Sequence, residues 1–312
     1  MLNPPNHQSS LLERIASGAI LISDGATGTY LQEQGLEAGG CPELFNVDRP
    51  EVVKQMARAY FDAGSDIVST NSFGGSRYML SKYGCGDRVE ELNRRGAELA
   101  RSVAPPGHFA MGSIGPTGEF LKPSGTATDQ DMIDVFGEQA RGLAAGGVDG
   151  FCIETMSDLG ETILAIRACK ETTKLPVLAT LVFAKGPRGF FTMMGVTPAQ
   201  GAVQLADAGA DIVGSNCGLA IEQMIEIIAA MRAATDKPIV AHVNAGIPKI
   251  ERGCIVYPDT PEHMAPQYTQ LVDAGAAIVG GCCGTDPDYI RAIARVLRGA
   301  PKTVDDPQPY TR

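Results

Sequence analysis

The chain has 312 residues, 44% of them hydrophobic and only 6% aromatic, and its 26 basic and 36 acidic side chains leave a net charge of −10. That length suits one large α/β domain, and the acidic balance excludes a surface made for nucleic acid or anionic lipid. No apolar run reaches the roughly 18–20 residues needed to cross a bilayer, and residues 1–10 lack the apolar stretch of a secretory leader. A cytoplasmic protein with reduced thiols is therefore expected, rather than a disulfide framework, for Cys41, Cys85, Cys152, Cys169, Cys217, Cys254, Cys282 and Cys283.

Residues 1–10 read as a loose polar N-terminus. Four later segments share one grammar, a small residue and glycine, then Asp or Ala, then an apolar strand. They begin at Ala63-Gly64, Gly146-Gly147, Ala208-Gly209 and Ala274-Gly275. Each reads as a helix ending at glycine and turning into a β-branched strand. Apolar runs at 19–24, 109–115, 176–183 and 238–244 supply four more strands. The runs are nearly continuous rather than alternating, as parallel strands buried on both faces require. Helical spacing fills the intervals 50–62, 87–103, 129–145, 158–172, 198–207, 221–233, 261–273 and 287–297, several of which open on Asp or Thr-Pro. Eight strand–helix alternations predict a single (β/α)8 TIM barrel over 11–300, with 301–312 as a flexible tail.

Such barrels collect their chemistry at the C-terminal ends of the strands. The predicted ends read Asp24-Gly25-Ala26, Thr70-Asn71-Ser72, Gly115-Pro116-Thr117, Glu154-Thr155, Asn216-Cys217, Asn244-Ala245 and Cys282-Cys283. Three of the eight cysteines, Cys217, Cys282 and Cys283, thus finish strands at one end. Buried apolar thiols or a strained Cys282–Cys283 disulfide would account for them singly. Their shared location points instead to three ligands of one Zn2+ per chain with a fourth position open. Zinc held by three thiolates is electron-rich, so a fourth thiol bound there loses its proton yet stays nucleophilic, which suits alkyl transfer to sulfur better than hydrolysis. Asp24 and Glu154 suit a substrate ammonium, and the amides of Gly25 and Ala26 its carboxylate. Asn216, beside a metal cysteine, joins this substrate-binding set. Cys152 and Cys169 read as packing, and no histidine reads as catalytic.

Taken together, Asp24-Gly-Ala-Thr-Gly28, Thr70-Asn-Ser-Phe73, Gly115-Pro-Thr-Gly-Glu119, Glu154-Thr-Met156, Ser215-Asn-Cys-Gly218 and Gly280-Gly-Cys-Cys-Gly284 resemble the homocysteine S-methyltransferase family over about residues 11–300. The resemblance implies a zinc barrel that converts L-homocysteine to L-methionine. On it, Cys217, Cys282 and Cys283 are the ligands and Asp24 and Glu154 hold the amino group. It leaves three methyl donors: a methylated corrinoid (methylcobalamin) on a separate partner protein, a betaine-type donor, or S-methylmethionine. The betaine branch uses an aromatic box with a tryptophan, and this chain has none. Tyr30, Phe45, Phe73 and Tyr78 are the aromatic residues left to form one. The competing readings are a phosphate-binding barrel enzyme, with the Gly280–Gly284 turn as cradle, and a non-catalytic zinc module.

Overall fold

Left-handed glycines explain the repeat. Gly64, Gly147, Gly209 and Gly275 have φ of 111°, 85°, 103° and 110°, a region that residues with a Cβ rarely adopt. Each turns the chain from a helix into a strand. The Asp that follows in three of the four segments has a second role. The carboxylates of Asp66, Asp149 and Asp211 accept the N–H of Ile22, Ala110 and Val177 on the preceding strand, each at 2.8 Å. Each also pairs with a base: Arg14 and Arg298 at Asp66, Arg101 at Asp149, and Lys170 at Asp211. The fourth segment has Ala277 at this place and no such clamp.

The computed structural model describes residues 9–251 and 254–299. The expected loose ends, 1–10 and 301–312, fall outside the described residues apart from Ser9 and from Ser10, whose hydroxyl caps the helix Leu11–Ala16. Eight parallel strands form the wall: β1 (Leu21–Ile22), β2 (Ile67–Ser69), β3 (Phe109–Ile114), β4 (Gly150–Met156), β5 (Val177–Leu181), β6 (Ile212–Asn216), β7 (Ile239–Val243) and β8 (Ala276–Gly281). Their pairing runs β1-β8-β7-β6-β5-β4-β3-β2. Helices alternate with them as predicted, and the result is a nearly closed (β/α)8 barrel.

The seam lies between β1 and β2. It is held by one backbone bond, Asp66 N–H to Ile22 O at 2.7 Å, and by two carboxylates. Asp66 takes the N–H of Ile22 below, and Asp24 takes the N–H of Ser69 above at 2.6 Å. Because Asp66 is buried and takes the Ile22 N–H, replacing it with Ala strands that N–H and opens two ion pairs to partly exposed arginines. Asp66→Ala is expected to cost about 1–3 kcal/mol in urea unfolding, and Asp66→Asn less.

Alternation along each strand divides the lumen into layers. Leu21, Ile67, Phe109, Met111, Cys152, Leu178, Ile212, Val240 and Ile278 form its apolar lower part, closed from beneath by Leu11 and Ile15. Two residues on, the same faces present Ser23, Ser69, Ser113, Glu154, Thr180 and His242. A dry plug therefore supports a polar floor at the mouth.

Several features differ from the sequence expectation. The segments after β5 and β7, assigned to neither strand nor helix above, are hairpins, Ala184–Gly186 with Gly189–Phe191 and Lys249–Glu251 with Cys254–Val256. The interval 261–273 is two short helices, Pro261–Met264 and Tyr268–Asp273, joined by a 3-10 turn. Cys41 and Cys85, unpatterned in the sequence, are buried with Leu80, Val89 and Leu92. Cys152 and Cys169 are core residues, as expected.

Candidate metal and substrate site

The first and last strands are tied together where they end. Gly281 N–H donates to Asp24 O at 2.8 Å and Ser23 N–H to Val279 O at 2.8 Å. Thr285, fully buried, then fills the space between the two turns. Its hydroxyl donates to Cys282 O at 2.7 Å, and its carbonyl accepts the Ala26 N–H at 3.0 Å. A Cβ at Gly281 would lie 2.1 Å from Thr285 Oγ1, and one at Gly25 would lie 2.7 Å from it. Both glycines are thus required by this packing. Tyr60 hydroxyl bridges the turns by donating toward Ala26 O and Thr285 O, at 3.1 and 3.3 Å.

This frame brings Cys282 and Cys283 to Cys217. The three Sγ atoms all lie within 4.8 Å of one another, with Cys217 to Cys283 at 3.7 Å. All three are partly exposed at the mouth, unlike the buried Cys152 and Cys169. Hydrogen bonds from Cys282 and Cys283 hold the Cys217 thiol well below its ordinary value, while those of Cys282 and Cys283 rise. The sulfurs share charge in a manner that a thiophilic dication would complete by displacing the remaining protons. Two neighbours carry no role in the sequence reading: Asn244, placed there only as a strand end, and Tyr257. Asn244 hydrogen-bonds Cys217 through its side chain, and its buried Oδ1 has no partner among the described residues. Tyr257 hydrogen-bonds Cys283, its ring lying over Gly284.

The carboxylates occupy the same mouth. Asp24 is 4% exposed and accepts from Ser69 N–H, Ser69 hydroxyl and Ser23 hydroxyl. Burial nevertheless pushes it up to about 6. Glu154 accepts the Ser113 hydroxyl at 2.5 Å. Burial, aided by the charge of Asp24, pushes it up to about 7 against that bond. A cation placed beside these two buried carboxyls would favour the ionised form of both. At the Gly25-Ala26 turn, the Ala26 N–H is already committed to Thr285 O, whereas the Gly25 N–H has no protein partner among the described residues. His242 is buried in the floor, with Nε2 unpartnered among the described residues, and burial lowers it to about 4. It is neutral at physiological pH.

The family model for homocysteine S-methyltransferases matches residues 21–297. The chain belongs to the homocysteine S-methyltransferase family. A methionine synthase of Mycobacterium leprae is 32% identical over 95% of this chain and 26% of its own length. Betaine–homocysteine S-methyltransferase 1 of Danio rerio is 30% identical over 94% of the chain and 77% of its own length. Among solved structures, the homocysteine methyltransferase MmuM of Escherichia coli in its metallated form superimposes with a TM-score of 0.72 at 21% identity, covering 89% of this chain and 96% of that one. The chain thus spans about a quarter of the methionine synthase it matches. No helix among the described residues is long and apolar enough to cross a membrane.

The phosphate-binding alternative loses its cradle. Asp286 caps the helix Pro287–Arg298, accepting the N–H of Asp288 and Tyr289. A carboxylate therefore stands where the phosphate would sit.

Proposed function

We propose that this protein is a zinc-dependent homocysteine S-methyltransferase that forms L-methionine from L-homocysteine. The observation that carries the reading is the convergence of three partly exposed sulfurs, Cys217, Cys282 and Cys283, at the mouth that also holds Asp24 and Glu154. The donor set fits zinc: three thiols for a soft ion, and at Asn244 a buried unpartnered oxygen beside Cys217. When bound, zinc lowers the pKa of a coordinated thiol and keeps its sulfur nucleophilic at neutral pH. Asp24 and Glu154 hold the substrate ammonium, and the Gly25 N–H meets its carboxylate. Ala26 shapes the turn that presents Gly25. These contacts fix the amino-acid end of the substrate, so that its thiol projects toward the cysteines.

The methyl group comes from a donor carried by a protein. Met193, Met194, Ile247, Ile250 and Ile255, on the loops after β5 and β7, are 50–82% exposed, and solvent-facing apolar side chains around a mouth favour a macromolecular visitor. A betaine cage has less support. The Phe45 ring is occupied by the Arg49 guanidinium at 5.1 Å, and Phe73 packs on Gly115.

The test is methionine formation by the zinc-loaded protein from L-homocysteine, with methylcobalamin, glycine betaine and S-methylmethionine offered in parallel. Product from methylcobalamin is expected. Product from betaine or S-methylmethionine alone would replace the donor assignment. No product from any of them, with zinc bound, would favour the non-catalytic module.

A further inference from the structure

Among the described residues, two that are not glycine have positive φ: Thr155 at 61° and Cys217 at 62°. One directly follows Glu154 and the other is a sulfur of the trio, so each end of the site rests on a strained corner. The two corners meet at one side chain. Asn216, fully buried, accepts the Thr155 N–H at 2.8 Å and the Thr180 hydroxyl at 2.7 Å through Oδ1. Through Nδ2 it donates to Thr155 Oγ1 at 2.8 Å and to Cys282 Sγ at 3.7 Å. Its backbone leads straight into Cys217. With both acceptor sites and both donor hydrogens used by the protein, nothing is left for a substrate.

We infer that Asn216 is a positioning residue that sets the distance between the ammonium site at Glu154 and the sulfur cluster, and through it the preference for homocysteine over cysteine. The acceptor half pins the backbone after Glu154 in its left-handed corner. The donor half steadies the Cys282 sulfur, as outer hydrogen bonds to metal ligands do. Homocysteine and cysteine differ by one methylene, so an amine-to-sulfur span held rigid discriminates between them by length. A span free to vary does not. The inference rests on the zinc-methyltransferase reading. Zinc binding and methionine formation by the unaltered protein test that reading alone, and the variants below test the clamp.

Three variants separate the two halves. Asn216→Ala removes both. Zinc Kd, read by competition with a chromophoric chelator, should rise about 10- to 100-fold, KM for homocysteine should rise, and the homocysteine-to-cysteine ratio of kcat/KM should fall about tenfold or more. Asn216→Asp keeps both accepted bonds and loses the donated ones, so zinc binding should weaken while KM stays near that of the parent. Thr155→Gly in the Asn216→Ala background supplies a residue at ease with positive φ. It should restore KM and discrimination without restoring zinc affinity. A merely structural Asn216 would not give this split rescue. Circular dichroism melting identifies a variant that fails to fold, and Asn216→Asp then decides by itself. The inference is overturned if Asn216→Asp binds zinc as the parent does, or if folded Asn216→Ala keeps parental discrimination.

Discussion

Replacing any one of Cys217, Cys282 or Cys283 with Ser is expected to remove the metal and the activity while leaving the fold in place. The zinc-loaded parent should carry about one zinc per chain, and each variant almost none after dialysis. Loss of an outer partner alone weakens a metal site 10- to 100-fold, so loss of a thiolate should weaken it more than 100-fold and depress methyl transfer at least as far. A serine hydroxyl does not ionise to serve as a soft ligand near pH 7. The three cysteines are partly exposed, so the exchange strands no group in the core. Cys152→Ser and Cys169→Ser should behave in the opposite way. Both thiols are buried among apolar side chains, so a hydroxyl there should cost about 1–3 kcal/mol in denaturant unfolding with zinc retained. Metal analysis beside urea melts checks all five. Full zinc in all three of the first set would refute the metal assignment.

Asp24→Asn and Glu154→Gln should raise KM for homocysteine roughly 30- to 150-fold at pH 8, from loss of a charge-assisted hydrogen bond of about 2–3 kcal/mol. Asp24→Asn should also make the substrate-free protein more stable. The sign follows from the raised carboxyl. Asp24 goes from 3.8 to about 6 on folding, so the folded state binds protons more tightly than the unfolded chain. Stability then falls as pH rises from about 4 through 6 and is lowest above it. The neutral amide removes that penalty, about 2–3 kcal/mol at pH 8 and nothing below about pH 4. The Ser23 and Ser69 hydroxyls can turn to accept from the new amide. Glu154, raised to about 7, follows the same sign over a window that extends one unit higher. For the parent enzyme, kcat/KM for homocysteine should climb across pH 5–8 as the carboxylates ionise. A flat profile over that range, or an Asp24→Asn protein no more stable at pH 8 than at pH 4 relative to the parent, would contradict the account.

What the sequence made legible was what strand ends encode locally. The cysteines, Asp24 and Glu154 follow apolar runs directly, and the barrel rule turns that adjacency into a common location. The glycine repeat was legible for the same reason, because helix stop and strand start are neighbours. The roles of Thr285 and Tyr60 were not. Their bond joins positions 225 residues apart, and neither belongs to a spacing pattern. The Lys249–Glu251 and Cys254–Val256 strands have three residues each, too short for alternation to register. Asn216 was placed among the substrate contacts from sequence, whereas its side chain spends its hydrogen bonds on Thr155, Thr180 and Cys282. Its use as a clamp depends on Thr155 adopting a backbone conformation that no residue type announces.

At the seam of the barrel, Ser69 N–H finds the carboxylate of Asp24 where an ordinary ladder would offer a carbonyl. A carbonyl acceptor has fixed polarity, but a carboxylate answers to protons and to cations. Asp149 and Asp211 also take a strand N–H, at two other joints, but each sits beside a base; the carboxylate of Asp24 instead shares its atoms with the proposed ammonium site. Mechanical closure and ligand recognition are wired in series there. Selection for a sturdier wall and selection for a tighter grip on an amino acid act on the same side chain.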